Sequence, residues 1–86
     1  MKSLLKNYIE KLTLDELREF GEKHGINISN DEYKLILDLV QGNFEDMLTN
    51  EDKYLKIIES KINKDEFIKI KNLYYEYKEK YKGYLF

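Results

Sequence analysis

The stretch TLDELREFGEKHGINISNDE, residues 13–32, decides the fold, because it writes two helix starts and one helix stop within twenty residues. A capping box needs a short polar side chain at the N-cap and Glu or Gln three residues later. The cap oxygen then accepts an orphan amide, and the Glu reaches back to the cap amide. Thr13 with Glu16 fits this pattern, and so does Ser29 with Glu32. Gly25 falls between them, where a helix ends most easily in a left-handed residue. The spacing predicts a helix over 14–24, a short extended link through Ile26-Asn27-Ile28, and a second helix from residue 30.

The same grammar extends outward. Asn63 with Glu66 is a third box in Asn-capped form, and Asn43 and Asn50 are simple caps. Gly42 and Gly83 are further stops. Helices are therefore expected over about 2–11, 14–24, 30–41, 51–62 and 64–82, with a helical turn near 44–48. Their inward faces read as Leu4, Leu5, Tyr8, Ile9 and Leu12; Leu14, Leu17 and Phe20; Phe44, Met47 and Leu48; and Tyr54, Leu55, Ile57, Ile58 and Ile62. The third helix carries Tyr33, Leu35, Ile36, Leu37, Leu39 and Val40, apolar over most of its circumference, which marks the central helix. Ile26 and Ile28 plug the core from the link. No strand-like alternation runs longer than that link. The expected fold is all-α, a compact orthogonal bundle of about five helices with a long C-terminal helix, forming a single domain over residues 1–86.

Composition narrows the function classes. The chain of 86 residues has no Cys, no Pro and one His. Disulfides, zinc–thiolate sites and thiol nucleophiles are excluded, and uninterrupted helices are permitted. Eight Tyr and four Phe argue for a packed chain. Abundant Lys, Ile, Asn, Glu and Tyr resemble AT-rich coding, as in low-GC bacteria. The longest apolar runs have three residues, as in Leu35-Ile36-Leu37, too short for a membrane span or a signal-peptide core, so a cytoplasmic location is expected. Net charge is −2, unevenly spread. Residues 1–60 hold eight Lys/Arg against thirteen Asp/Glu, whereas residues 61–86 hold seven Lys against four Asp/Glu.

Chemistry-bearing patterns are missing. A lone His24 has no companions for a triad or a His-based metal site, and it suits the C-terminal end of a helix dipole. The paired carboxylates mostly open helices, where negative charge is favoured. Asn27, Ser29 and Asp31 lack the sixth-position glycine of a calcium loop, since Glu32 stands there. Gly21 reads as a site of close helix packing or a tolerated glycine. No catalytic residue, cofactor or metal is expected.

The last helix carries the strongest partner signal. Phe67, Ile70, Tyr74, Tyr77, Tyr81 and Tyr84 repeat at spacings of three and four, an a/d stripe. Such a stripe closes a bundle, but its change from Phe and Ile to Tyr suits an interface, because a tyrosine hydroxyl needs water or a partner. The expected contact surface is Tyr74, Tyr77, Tyr81, Tyr84 and Phe86, serving a protein partner or self-association as a homodimer. The alternative is a nucleic-acid accessory module. The helix–extended–helix unit is similar in outline to SAP-type DNA-binding motifs, and Lys69, Lys71, Lys78, Lys80 and Lys82 interleave with tyrosines. Against it stand an acidic second helix and a single arginine, Arg18.

Three features between Ile9 and Gly42 resemble the YqfT-like family of small helical bacterial proteins of unknown function. They are the Thr13-Leu14-Asp15-Glu16-Leu17 opening, the Lys23-His24-Gly25-Ile26-Asn27-Ile28-Ser29 turn, and the apolar helix from Tyr33 to Val40. The resemblance implies a cytosolic helical domain with no catalytic activity to carry over. The tyrosine-rich C-terminus lies outside it.

Overall fold

The computed structural model describes residues 2–85, with the side chains of residues 5–83. Its elements are α1 (Lys2–Lys11), α2 (Leu14–Lys23), α3 (Asn30–Thr49), α4 (Glu51–Lys61), α5 (Lys64–Lys80) and α6 (Lys82–Leu85), with no strand among the described residues. The radius of gyration is 12.3 Å, close to the roughly 12 Å of a compact chain this long.

Both capping boxes around the link are closed. The Thr13 amide donates to Glu16 Oε1 at 2.9 Å and the Glu16 amide to Thr13 Oγ1 at 3.1 Å. Ser29 and Glu32 repeat the pair at 2.9 and 3.1 Å. Gly25 has φ +79°, the left-handed stop. The amides of Gly25 and Ile26 return to the carbonyls of Glu22 and Gly21 at 3.0 and 2.9 Å, the paired bonds of a Schellman end. Ile26 is buried behind that end, and Ile28 packs on the core.

Several local expectations are corrected. The helix read as ending near residue 41 continues to Thr49 with only a kink at Asn43 (φ −139°, ψ 24°). Asn43 does not cap a new helix; its Nδ2 donates to Leu39 O at 3.0 Å, satisfying a carbonyl beside the kink. Gly42 is helical, and the break needs no left-handed residue. Asn50 precedes α4 without capping it, because its Nδ2 is drawn back to Asp46 Oδ1 at 2.8 Å. Asn63 caps α5 by accepting the Asp65 and Glu66 amides at 2.8 and 3.4 Å. Glu66 does not close that box: its carboxylate accepts the Asn27 amide of the extended link at 2.6 Å. Finally, α5 ends at Lys80 because Tyr81 leaves helical geometry (φ −109°, ψ 14°), and Gly83 lies inside α6.

The central helix is α3, against which α1, α2 and α4 pack. The core has two neighbouring centres. Phe44, Met47, Leu48 and Tyr54 form one, and Leu5, Ile9, Val40, Ile57, Tyr74 and Tyr81 lean on it. Leu55, Ile58, Ile62 and Phe67 form the other, joined by Ile28, Ile36 and Ile70. Leu39 touches both. Burying each such aliphatic or aromatic side chain contributes about 1.5–3 kcal/mol.

Two helices placed on the inward faces by spacing each turn one aromatic outward. Tyr8 is 62% exposed, whereas Leu5 and Ile9 of the same helix pack on the core. Phe20 is 38% exposed because the inward position of α2's last turn is Gly21, not Phe20. Gly21 is buried, and the Tyr33 ring lies over it with its hydroxyl donating to Ile26 O at 2.8 Å. The other end of the bundle is held by Gln41, whose Nε2 donates to Ile9 O at 2.9 Å and Leu12 O at 2.8 Å. One α3 side-chain amide thus ties down the backbone where α1 stops.

Candidate contact surface between α2 and α5

The tyrosine stripe of α5 faces the bundle and serves three different neighbours. Phe67 and Ile70 enter the second core centre. Tyr74 packs on the first, and its hydroxyl donates to Glu51 Oε2 at 2.6 Å. Lys78 Nζ donates to the other oxygen, Glu51 Oε1, at 2.6 Å. Glu51 also opens α4, where the helix dipole favours its charge. Burial works against ionisation of Glu51, but the bonds from Lys78 and Tyr74 outweigh it and hold the carboxyl below its ordinary range. Burial, followed by the bond to that carboxylate, raises the Tyr74 phenol well above its ordinary value.

Tyr77 turns toward α2 instead. Its ring centroid lies 5.4 Å from Phe20 in an edge-on arrangement and 6.1 Å from His24, while Phe20 and His24 are 4.6 Å apart. Tyr81 packs on the core with one face and stacks on Tyr77 at 6.0 Å and 15°. Lys80 Nζ stands 5.4 Å from the Tyr77 centroid and 5.6 Å from that of Tyr81, a cation above two rings. The result is a continuous aromatic patch across the end of α2 and the last turns of α5. Phe20 and His24 are exposed, and Tyr77 and Tyr81 are half-buried. Of the surface expected from the sequence, Tyr74 is therefore tied inward, whereas Tyr77 and Tyr81 sit in the patch. The side chain of Tyr84 and all of Phe86 lie outside the described residues. Phe20 and His24 could not be assigned to this surface from their own helix, since the fold alone brings them to Tyr77.

Three of the lysines singled out in the sequence, Lys69 and Lys78 of α5 and Lys82 of α6, reach different carboxylates. Lys69 reaches the link, donating to Gly25 O at 3.1 Å and Glu66 Oε2 at 3.0 Å. Lys78 reaches α4 through Glu51, and Lys82 pairs with Glu79 at 3.0 Å. A shallow open dent at the α3–α4 junction is lined by Thr49, Asn50, Glu51, Asp52 and Lys53. Among the described residues no group of three or more His, Cys, Asp or Glu is placed to hold a metal ion, and no helix is long and apolar enough to cross a membrane.

Three buried or half-buried phenols give a pH expectation. Burial raises Tyr33, the bond to Asp46 raises Tyr54, and burial raises Tyr74. A phenol whose folded pKa exceeds its unfolded one contributes stability that is complete below about pH 10. That contribution fades as pH rises through the folded value, because the unfolded chain releases its proton first. Alkaline titration should therefore show phenolate absorbance from these groups rising together with the loss of helical circular dichroism. Ionisation of all tyrosines well before unfolding would contradict the packing of these three.

No protein-family model matches the chain, and no curated protein or solved structure matches it either.

Proposed function

We propose that this is a non-enzymatic protein–protein interaction or regulatory domain of the bacterial cytoplasm, with the α2–α5 aromatic patch as its contact surface. The observation that carries the reading is the patch itself: Phe20 and His24 meet the Tyr77 ring edge-on, Tyr81 stacks on Tyr77, and Lys80 stands over both tyrosines. Large, stiff aromatic side chains contribute contact area at low entropic cost and are enriched where proteins meet.

The nucleic-acid reading is weaker on two physical grounds. A phosphate-binding helix presents its cations on one face, whereas Lys69 and Lys78 reach to different neighbours and Lys69, Lys78 and Lys82 are each paired with a carboxylate. The helix–extended–helix unit is also occupied along its link, where Glu66 and Lys69 bind Asn27 N–H and Gly25 O.

Affinity capture from a lysate of the source cells, with and without nuclease and at low and high salt, tests the choice. A defined protein retained after nuclease and high salt is the expected result. Material that disappears with nuclease or salt would make the chain a nucleic-acid accessory factor instead.

A further inference from the structure

The flank of α5 turned away from that patch carries a second apolar feature, in which the Tyr75 ring meets Tyr74 edge-on at 5.3 Å and has Lys78 Nζ 5.7 Å above it. Ile68 is 46% exposed and Tyr75 is 37% exposed, the largest apolar exposures on this helix. They are seven residues apart and therefore share one flank. Exposed charges bracket them on the same side: Lys64 in the first turn and Glu79 in the last. The exposed order along the flank is Lys64, Ile68, Lys71, Tyr75, Glu79, and its outer four members, cation, Ile, Tyr and anion, are complementary to themselves when reversed. An antiparallel copy with the two-fold axis between Lys71 and Asn72 sets Ile68 against Tyr75 of the second copy. The same operation sets Lys64 against Glu79 of the second copy, and each pair occurs twice.

We propose that two copies of the chain associate through this flank, α5 antiparallel to α5. The apolar pairs remove two exposed aliphatic and two exposed aromatic groups from water. The charge pairs fix direction and register, since a parallel arrangement would place Lys64 against Lys64 and Glu79 against Glu79. The Glu79–Lys82 bridge within each copy is largely exposed, at 74% and 65%, and competes weakly. The Lys71 side chains nearest the axis are long enough to splay into water. A contact of one helix on one helix is small, so the dimer forms at high protein concentration. It leaves the α2–α5 patch uncovered and stands independently of the partner proposed for that patch.

Sedimentation equilibrium of the full chain up to millimolar concentration tests the proposal. The expected mass rises from 10.5 kDa toward twice that value. Ile68→Lys should remain monomeric with unchanged helical circular dichroism, because the residue is exposed. Glu79→Lys should weaken the dimer roughly tenfold, since symmetry doubles each lost pair. Lys64→Glu combined with Glu79→Lys should restore it. Both single changes suit their helix ends, so folding is preserved. A chain monomeric throughout would overturn the proposal. So would a dimer indifferent to Ile68→Lys, or a double variant no tighter than Glu79→Lys.

Discussion

Phe67→Ala is expected to destabilise the protein by about 3–4 kcal/mol, a large part of the whole stability of a domain this small. Phe67 is 6% exposed and meets Leu55, Ile58 and Ile62 of the α4 segment. Removing its ring leaves a cavity between α4 and α5 that neither helix can close, because α5 is tied at several further points. Asn63 caps it, Glu66 and Lys69 bind the link, and Tyr74 and Lys78 bind Glu51. Thermal and urea unfolding measure the loss. A cost below about 1 kcal/mol would mean that α5 merely leans on a core completed by the first four helices.

Gly21→Ala is the second large effect, and its sign is the informative part. Alanine in an exposed helix interior normally gains about 1 kcal/mol over glycine. Here a Cβ would lie 2.6 Å from Tyr33 Cε1 and 2.8 Å from Cζ, with the Tyr33 hydroxyl oxygen closer still. The ring cannot retreat, being 3% exposed and held by its bond to Ile26 O. Overpacking strain of about 3 kcal/mol then exceeds the propensity gain, for a net loss of about 2 kcal/mol. For a domain of this size that is a fall of roughly 8–15 °C in Tm. In a Tyr33→Leu background the same substitution should be close to neutral. A Gly21→Ala protein more stable than its parent would show that α2 and α3 do not approach as described.

What could be read from the sequence follows from how far apart the deciding groups are. Thr13–Glu16, Ser29–Glu32 and the Gly25 stop are settled within a few residues, and all three are built as written. Glu66 looked equally local. Its partner proved to be the Asn27 amide, 39 positions away. An unpaired amide on an extended link competes successfully with the cap it was expected to serve. Gln41 gave no signal at all, because its acceptors are carbonyls at and just past the end of α1 that only packing brings near. Phe20 was misplaced because apolar spacing ignores glycine, whereas Gly21 is the residue that lets Tyr33 reach the inward face. The tyrosine stripe was visible as a stripe, but not which ring meets the core, which meets Glu51 and which meets α2. Those assignments depend on neighbours from three other helices.

The most direct test of the contact-surface account compares three proteins in one affinity capture, performed after nuclease and at high salt: the parent chain, Tyr77→Ala and Ile68→Lys. Removing the Tyr77 ring uncouples Phe20 and His24 from Tyr81, whereas Ile68 lies on the opposite flank of α5. The account predicts a defined protein recovered with the parent and with Ile68→Lys, and lost with Tyr77→Ala while that variant keeps its helical circular dichroism. Equal recovery with a folded Tyr77→Ala would contradict it and place the contact elsewhere on the molecule.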